Sequence, residues 1–478
     1  MRRFPDPGGV PKVRPAALFT LCALVVTVFA DRSCAAEPSL QAGVATADIT
    51  PPPGQPLWGY SNRPTPATGK LDPLMARALV LACGETRAAV VTLDLGRTPE
   101  DHLLAALRAR TLSKYGIGNL LITASHTHAA PSLESLDGKP NTYGPTVVDA
   151  IDRAIGEAAA HLVPVRLGVG RGTVDLAHNR RHFLSDGRVA MQWRNVEHEP
   201  TEPVDKEFIV VRLDREDGKP LAVLLHYACH PVVLGPDNLE YSADFVGTAC
   251  QGVEEQLDAP CLYLQGGCGN INPYADKTPL AQDGINEMRK MGTTLAAAAV
   301  ETARTTKTAT AGPTALKFEA RGIPVRVRWN VQDPEVSAVL SRMYGARFDR
   351  YLADMLKTGR VRPVLTTLLI GDGLALVGMP GEMFVQFQTD LKSRSPVPTT
   401  LLVGYANGYH AYFPTIRDAA AGGYGGKTAT YVAPGAGERL TDEAVVTLYK
   451  MIGGLHDVPR EEDFRLLEYD DVKKQAGR

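Results

Sequence analysis

Two periodicities alternate along the chain. Short runs of apolar, β-branched residues are followed by longer stretches in which apolar residues return every three or four positions, a succession that predicts strands alternating with helices. Ala88–Asp94 reads as a buried strand, and Pro99–Tyr115 as a helix with Leu103, Leu104, Leu107 and Leu112 on one side. Leu120–Ser125 is the next strand, and Thr146–Leu162 a helix whose stripe is Val147, Ile151, Ile155 and Ala158. Strands over Glu207–Leu213 and Leu221–Ala228 are joined by the Asp214–Gly218 turn. They are followed by a helix near Asp244–Leu257, the strand Cys261–Gln265 and an alanine-rich helix from about Gly284 to Arg304. Thr366–Ile370 and Leu374–Gly378 flank Gly371-Asp-Gly373, a hairpin signal. Helical segments between strands, with antiparallel hairpins among them, predict an α/β protein of mixed sheets flanked by helices rather than a pure Rossmann order or a simple barrel.

The first 36 residues break the pattern. Basic Arg2, Arg3, Lys12 and Arg14 precede an apolar run from Ala16 to Ala30, and Cys34-Ala35-Ala36 fits a small-residue cleavage site. The segment is expected to be a secretory leader, with Glu37 opening a mature domain over 37–478 that ends in a charged tail from about residue 456. The apolar run is short for a membrane span, so an uncleaved anchor is the lesser alternative. The expected destination is the periplasm or the exterior. Removing that leader takes five basic and two acidic residues from 51 Lys+Arg and 53 Asp+Glu and leaves a net charge of −5, which does not favour nucleic acid or anionic membrane as a partner. Five cysteines remain, Cys83, Cys229, Cys250, Cys261 and Cys268, an odd number with no CxxC spacing. That is neither a disulfide framework nor a zinc knuckle, so any metal here would be held by histidine and carboxylate.

Candidate chemistry gathers at the ends of apolar runs. His126-Thr127-His128 closes the strand expected over Leu120–Ser125, and two imidazoles one residue apart on a strand would emerge on one face, able to serve one site. A pair of hydrogen-bonded structural histidines is the bland alternative. His226 and His230 end the next such run, and Glu382 follows Gly378-Met-Pro-Gly where a strand gives way to a helix. Gln265-Gly-Gly-Cys-Gly-Asn-Ile-Asn-Pro273 follows a strand directly, and Tyr405, Tyr409, Tyr412 and Tyr424 cluster late in the chain. Taken singly, each also reads as packing or turn formation.

Taken together and in order, these segments resemble the neutral/alkaline non-lysosomal ceramidases. Ala42–Pro51 is similar to that family's amino-terminal segment, Leu71–Val80 to the strand after it, His126-Thr-His-Ala-Ala-Pro131 to its histidine motif and Asn179-Arg180 to its Asn-Arg step. His230 with Tyr241-Ser-Ala-Asp244, then Pro380-Gly-Glu382 and the tyrosine segment, complete the match. The resemblance implies a zinc-dependent hydrolase of linear amides, with an N-acyl, ceramide-like lipid as substrate and one Zn2+ per chain. By carry-over the zinc ligands are His126, His230, Glu382 and Tyr412, with Tyr409 as the nearest rival, while His128 and Tyr424 face the reacting carbonyl oxygen. Zinc takes four or five nitrogen and oxygen ligands and can bring bound water towards a neutral pKa. A phenol ligates well only once metal charge favours its deprotonation.

Two departures qualify the resemblance. Where ceramide-cleaving members carry Gly-Asp-x-Ser-Pro, this chain has Gly269-Asn270-Ile271-Asn272-Pro273. Asparagine is neither a hydroxyl nucleophile nor a general base, so Asn270 and Asn272 are expected to orient substrate, as are Asn179 and Arg180, with turn formation the alternative for the asparagine pair. Nor does any segment here read as the immunoglobulin-like domain in which those ceramidases end. The competing functions are a zinc-dependent deacylase or esterase acting on an acylated sugar or lactone, a metal-binding exported protein without turnover, and a barrel amidohydrolase. Asp94 and Asp244 are candidates for supporting the site.

Overall fold

The computed structural model describes residues 39–133, 141–310, 316–344, 355–466, 468 and 473, all within the unit Pro38–Arg478. The expected leader lies outside the described residues.

Eight strands run through the larger sheet: β1 (Gln41–Asp48), β2 (Met75–Cys83), β3 (Thr86–Leu93), β4 (Asn119–Ala124), β5 (Val163–Thr173), β6 (Glu207–Arg215), β7 (Pro220–Tyr227) and β8 (Cys261–Gln265). Their order is β8-β7-β6-β5-β1-β2-β3-β4, with the short Ala309–Thr310 strand also paired to β5. Neighbours are antiparallel except at the two edges, where β3–β4 and β7–β8 are parallel. A smaller sheet consists of β9 (Leu316–Gly322), β10 (Val364–Ile370), β11 (Leu374–Gly378) and β12 (Thr399–Val403) in sequence order, the last pair parallel. The main helices among the described residues are α1 (Asp101–Tyr115), α2 (Tyr143–Ala160), α3 (Phe245–Leu257), α4 (Gly284–Thr305), α5 (Pro334–Tyr344), α6 (Val385–Arg394), α7 (Ile416–Ala421) and α8 (Ala436–Met451).

The strand period of two sorts the side chains into layers. In β2, Ala76, Ala78 and Val80 pack with Leu104 and Leu107 of α1 and Val147, Ile151 and Ile155 of α2. Leu79 and Leu81, on the opposite face, meet Leu368, Leu376 and Leu401 of the smaller sheet. That sheet turns Leu365, Leu369, Ala375 and Val377 towards Phe387, Leu391, Leu440 and Leu448 of α6 and α8. The other half of the larger sheet buries Val210, Val223 and Tyr263 against α3 and α4. The result is helix, sheet, sheet and helix in layers, the mixed α/β architecture expected from the sequence.

Both expected hairpins form, β6–β7 and β10–β11, the second turning through Gly371 at φ 59°. The stripe of α1 differs from expectation: Leu104, Leu107 and Thr111 are buried, whereas Leu112 is 58% exposed. Residue 111 lies two turns from Leu104, so it takes the inward position and carries Leu112 off that face. Strand β5 has no sequence pattern because Gly168, Gly170 and Gly172 occupy alternate positions. A Cβ on Gly168 would lie 2.4 Å from the Lys307 carbonyl, and one on Gly170 2.2 Å from Thr306 Oγ1, so the end of α4 packs directly on that backbone. All five described cysteines are buried free thiols. Among the described residues no helix is long and apolar enough to cross a membrane. The described part of the charged tail holds an exposed 3-10 turn, Glu461–Phe464.

The carboxyl ends of the edge strands β4 and β8 meet through the segment Gly404–Asn407. Gly404 N donates to Gln265 O at 2.8 Å, Thr123 Oγ1 donates to Gly404 O at 2.7 Å, and Asn407 N donates to Ile122 O at 2.8 Å. Loops following β4, β8 and β12 therefore emerge together, at strand ends where α/β proteins build sites.

Candidate metal centre

His126 follows β4 by two residues and adopts a left-handed conformation, φ 73°. That is uncommon for a residue with a Cβ and is maintained here by backbone and ring contacts. Its N–H donates to Leu95 O at 2.9 Å, and its ring Nδ1 is bonded to Gly96 O at 2.7 Å. The turn breaks the pleat, so His126 and His128 do not emerge from one strand face. Their rings stand 5.1 Å apart at 85°, brought together by the loop. His128 packs on the backbone of Gly59, at φ 99°, where a Cβ would come within 2.5 Å of the imidazole.

His230 lies beyond β7, its Nδ1 bonded to Cys268 O at 2.6 Å. His226 does not reach the site; its Nε2 is bonded to Leu402 O at 2.8 Å between the sheets. Glu382 is placed by a short parallel pairing of Glu382–Met383 with Tyr412–Phe413. Gly381 is required just before it, since a Cβ there would meet the Phe413 ring at 2.5 Å. Glu382 Oε2 lies 3.3 Å from His126 Nε2 and 3.1 Å from His230 Nε2, and Tyr409 donates to Glu382 Oε1. Tyr412 Oη accepts from Arg180 Nη2 at 3.0 Å, and the Tyr424 ring stands 5.4 Å from that of Tyr412.

Ring nitrogens of His126, His128 and His230 also lie within 4.8 Å of one another. A metal ion fits this donor set on a proton count. Carbonyl oxygens only accept, so the Nδ1 atoms of His126 and His230 carry the protons and their Nε2 lone pairs both face Glu382 Oε2. Three acceptors confronting each other need a cation between them or an added proton. Protonation is disfavoured: burial, then the Arg180 charge, holds His230 down at about 4. Burial, then His126 and His230, holds His128 well below its usual value. Burial pushes the Glu382 carboxyl up; what brings it well below the ordinary carboxylate range is positive charge at the His126 and His230 rings, which a bound cation would supply between neutral imidazoles. Among the described residues His126 Nε2 and both nitrogens of His128 find no hydrogen-bond partner.

The remaining expected residues divide between site and scaffold. Arg180, buried, donates to Asn272 Oδ1 at 2.9 Å and Gly269 O at 2.7 Å besides Tyr412, and its guanidinium lies 5.5 Å from the Tyr424 ring. Asn272 donates in turn to Asp276 at 2.8 Å. Asn270 accepts from Val385 N at 2.9 Å and donates to Gln386 at 3.0 Å. Both amides are thus engaged with protein groups. Asn179 bonds Pro203 O and the N–H of Arg181. Asp94 pairs with Arg77 at 3.0 Å. Asp244 caps α3 through Phe245 N at 2.7 Å and holds Leu234 N at 3.0 Å beneath the His230 loop; burial raises its carboxyl to about 7.

Sequence reasoning missed four supporting residues. Gln265 Nε2 donates to Ser125 O at 2.7 Å and Cys229 O at 2.9 Å, tying both histidine loops together. Its signal was a buried polar residue at a strand end before two glycines. Arg181 pairs with Asp418 at 2.8 Å and donates to Tyr424 O at 2.9 Å, holding the tyrosine loop. Trp58 and Tyr60 wall His128 at ring separations of 5.0 and 4.9 Å, and nothing local marked them. With His128, Glu382, Tyr409, Tyr412 and Tyr424 they line a cavity of about 500 Å³.

Residues 40–268 match the sequence model of the neutral/alkaline non-lysosomal ceramidase amino-terminal domain. The chain is 27% identical over 257 residues to a neutral ceramidase of Pseudomonas aeruginosa, a match covering 50% of this chain and 37% of that protein. It is 27% identical over 236 residues to a neutral ceramidase of Oryza sativa, covering 46% and 29%. These matches span about a third of the relatives' own length. A crystal structure of neutral ceramidase from Pseudomonas aeruginosa superposes with a TM-score of 0.68 at 20% identity, over 90% of this chain and 78% of that one. A ceramidase complexed with C2 superposes with a TM-score of 0.69, also at 20% identity, over 90% and 79%. In the match over 40–268 and in the order of its motifs, the chain resembles the neutral/alkaline non-lysosomal ceramidase family, and its fold is that of the neutral ceramidases.

Proposed function

We propose that this protein is an exported zinc-dependent hydrolase that cleaves the linear amide of an N-acyl lipid of ceramide type. One observation carries the reading: two imidazole nitrogens, each within 3.3 Å of one carboxylate oxygen, converge at the wall of a cavity that Tyr412 and His128 also line. His126, His230, Glu382 and Tyr412 would hold the metal. Bound there, zinc supplies Lewis acidity and a water nucleophile active near neutral pH.

The chain's own residues do the remaining work. His128, kept neutral by burial and hydrogen-bonded to no protein group among the described residues, stands where it can donate to the oxyanion that develops on the substrate carbonyl. Tyr424, at the cavity lip, donates from the other side; each such donor is typically worth about 3–4 kcal/mol. Arg180 fixes the Tyr412 oxygen, and Trp58 and Tyr60 exclude water from the reacting bond. A largely apolar groove of about 450 Å³, lined by Trp329, Val336, Val339 and Leu340, borders the cavity through Met343 and Thr428. It offers a path for an acyl chain. Export rests on the leader-like first 36 residues, and a homologous lipid amidase outside the cell would meet its substrate in membranes or micelles.

Fatty-acid release from fluorescent ceramide, lost with a zinc chelator and restored by zinc, is the expected result. No metal-dependent release from any acyl substrate would sink the reading. Acylated sugars are the alternative substrate class, because Asn270 and Asn272 stand at the motif where the substrate contacts of ceramide-cleaving enzymes would differ, and both amides are engaged by protein groups. N-acyl sugars and sugar esters assayed beside ceramide distinguish the two.

A further inference from the structure

The two phenols of the 409–412 segment meet the site with opposite hydrogen-bond roles. Arg180 has only donors to offer, so Tyr412 Oη is the acceptor in their 3.0 Å contact. Glu382 offers oxygens, so Tyr409 is the donor in its contact with Oε1. The carboxylate is thereby divided, Oε1 held by Tyr409 and Oε2 turned to His126 and His230 at 3.3 and 3.1 Å. The Tyr409 ring is itself held, 4% exposed, 6.1 Å from Trp58 edge-on and 6.5 Å from Tyr405 in a stacked arrangement.

We propose that Tyr409 is a positioning residue for the metal: it occupies Glu382 Oε1 so that the carboxylate presents one oxygen, Oε2, and it leaves Tyr412 as the phenol available to the ligand set. The inference rests on the metal reading above. Its physical consequence is coordination number. A carboxylate free to bind through both oxygens would fill the position that a catalytic zinc site keeps open, whereas an outer hydrogen bond fixes the ligand in one mode.

The test uses the full chain carrying Tyr409→Phe, Tyr412→Phe, Glu382→Gln and the double variant Tyr409→Phe/Glu382→Gln. Zinc content, zinc affinity by chelator competition, and the absorption spectra of the cobalt- and copper-loaded proteins are measured. Tyr409→Phe is expected to keep one zinc per chain with affinity 10- to 100-fold weaker, as for lost outer partners of metal ligands, and to shift the cobalt bands towards higher coordination. Removing Tyr409 in the Glu382→Gln background should add less than threefold, because it acts through that carboxylate; a merely structural role would persist. The tyrosinate-to-copper band should vanish in Tyr412→Phe and survive in Tyr409→Phe. Unchanged affinity and cobalt spectrum in Tyr409→Phe, or loss of the copper band there, overturns the proposal while the zinc reading stands. A wild-type chain that binds no zinc overturns both.

Discussion

Replacing Gln265 by methionine preserves volume but removes the buried amide that joins the two histidine loops. Three hydrogen bonds to the backbone go with it, those to Ser125 O at 2.7 Å and Cys229 O at 2.9 Å and the 3.3 Å bond accepted from Cys229 N, besides a 3.5 Å contact from the Tyr263 hydroxyl. Gln265 is 0% exposed, so water cannot take over without opening the strand ends. Each buried backbone group left without its partner costs about 1–3 kcal/mol, and three together about 3–6 kcal/mol after partial relaxation. That is a large share of the roughly 5–15 kcal/mol by which folded domains are stable. Because Ser125 precedes His126 and Cys229 precedes His230, both imidazoles lose a fixed anchor, and zinc affinity should fall at least tenfold. Urea unfolding gives the first quantity and chelator competition the second. A loss of stability under about 1 kcal/mol, or a full loss with wild-type zinc affinity, would refute the view that this amide is what assembles the site.

Further outcomes follow from the same geometry. His126→Ala should lose zinc, whereas His128→Ala should keep it and lose activity by about 10²–10³-fold, seen by metal analysis beside steady-state kinetics. Arg181→Met leaves the buried Asp418 charge unpaired and should cost about 3–5 kcal/mol in urea unfolding, with activity falling as the Tyr424 loop loosens. His226 gives a pH dependence: its ordinary value near 6.5 is lowered to about 4 by burial and then by the Lys392 charge. Between those values the unfolded chain binds a proton that the folded chain does not. Its contribution is therefore complete above about pH 6.5 and lost as pH falls towards 4, by about 3 kcal/mol in all. His226→Asn should flatten the fall in stability between pH 7 and pH 5 measured by urea titration, and a slope equal to wild type would rule this out.

Much of this protein was legible without its structure. The continuous apolar runs of β3, β4, β6–β8, β10 and β11 report burial on both faces between layers, and such burial leaves few choices of residue, so most strands, the two hairpins and the mixed α/β class could be read directly. The chemistry-bearing segments were also visible as polar residues at the ends of apolar runs. Local pattern failed where a distant partner sets the choice. Strand β5 is glycine-rich because α4 lies on it, Leu112 is exposed because the turn of α1 places Thr111 inward, and Trp58 and Tyr60 have no local mark because their role is to wall a histidine far along the chain. Sequence determined which side chains could bind metal and in what order they occur. Only the tertiary structure decided that His126 leaves the strand at positive φ, that Glu382 Oε2 meets two imidazole lone pairs, and that Asn270 and Asn272 are engaged by protein partners. Ligand identity is a property of residues, whereas convergence depends on loops from separate strands being tied together by buried hydrogen bonds, and those bonds join positions more than a hundred residues apart.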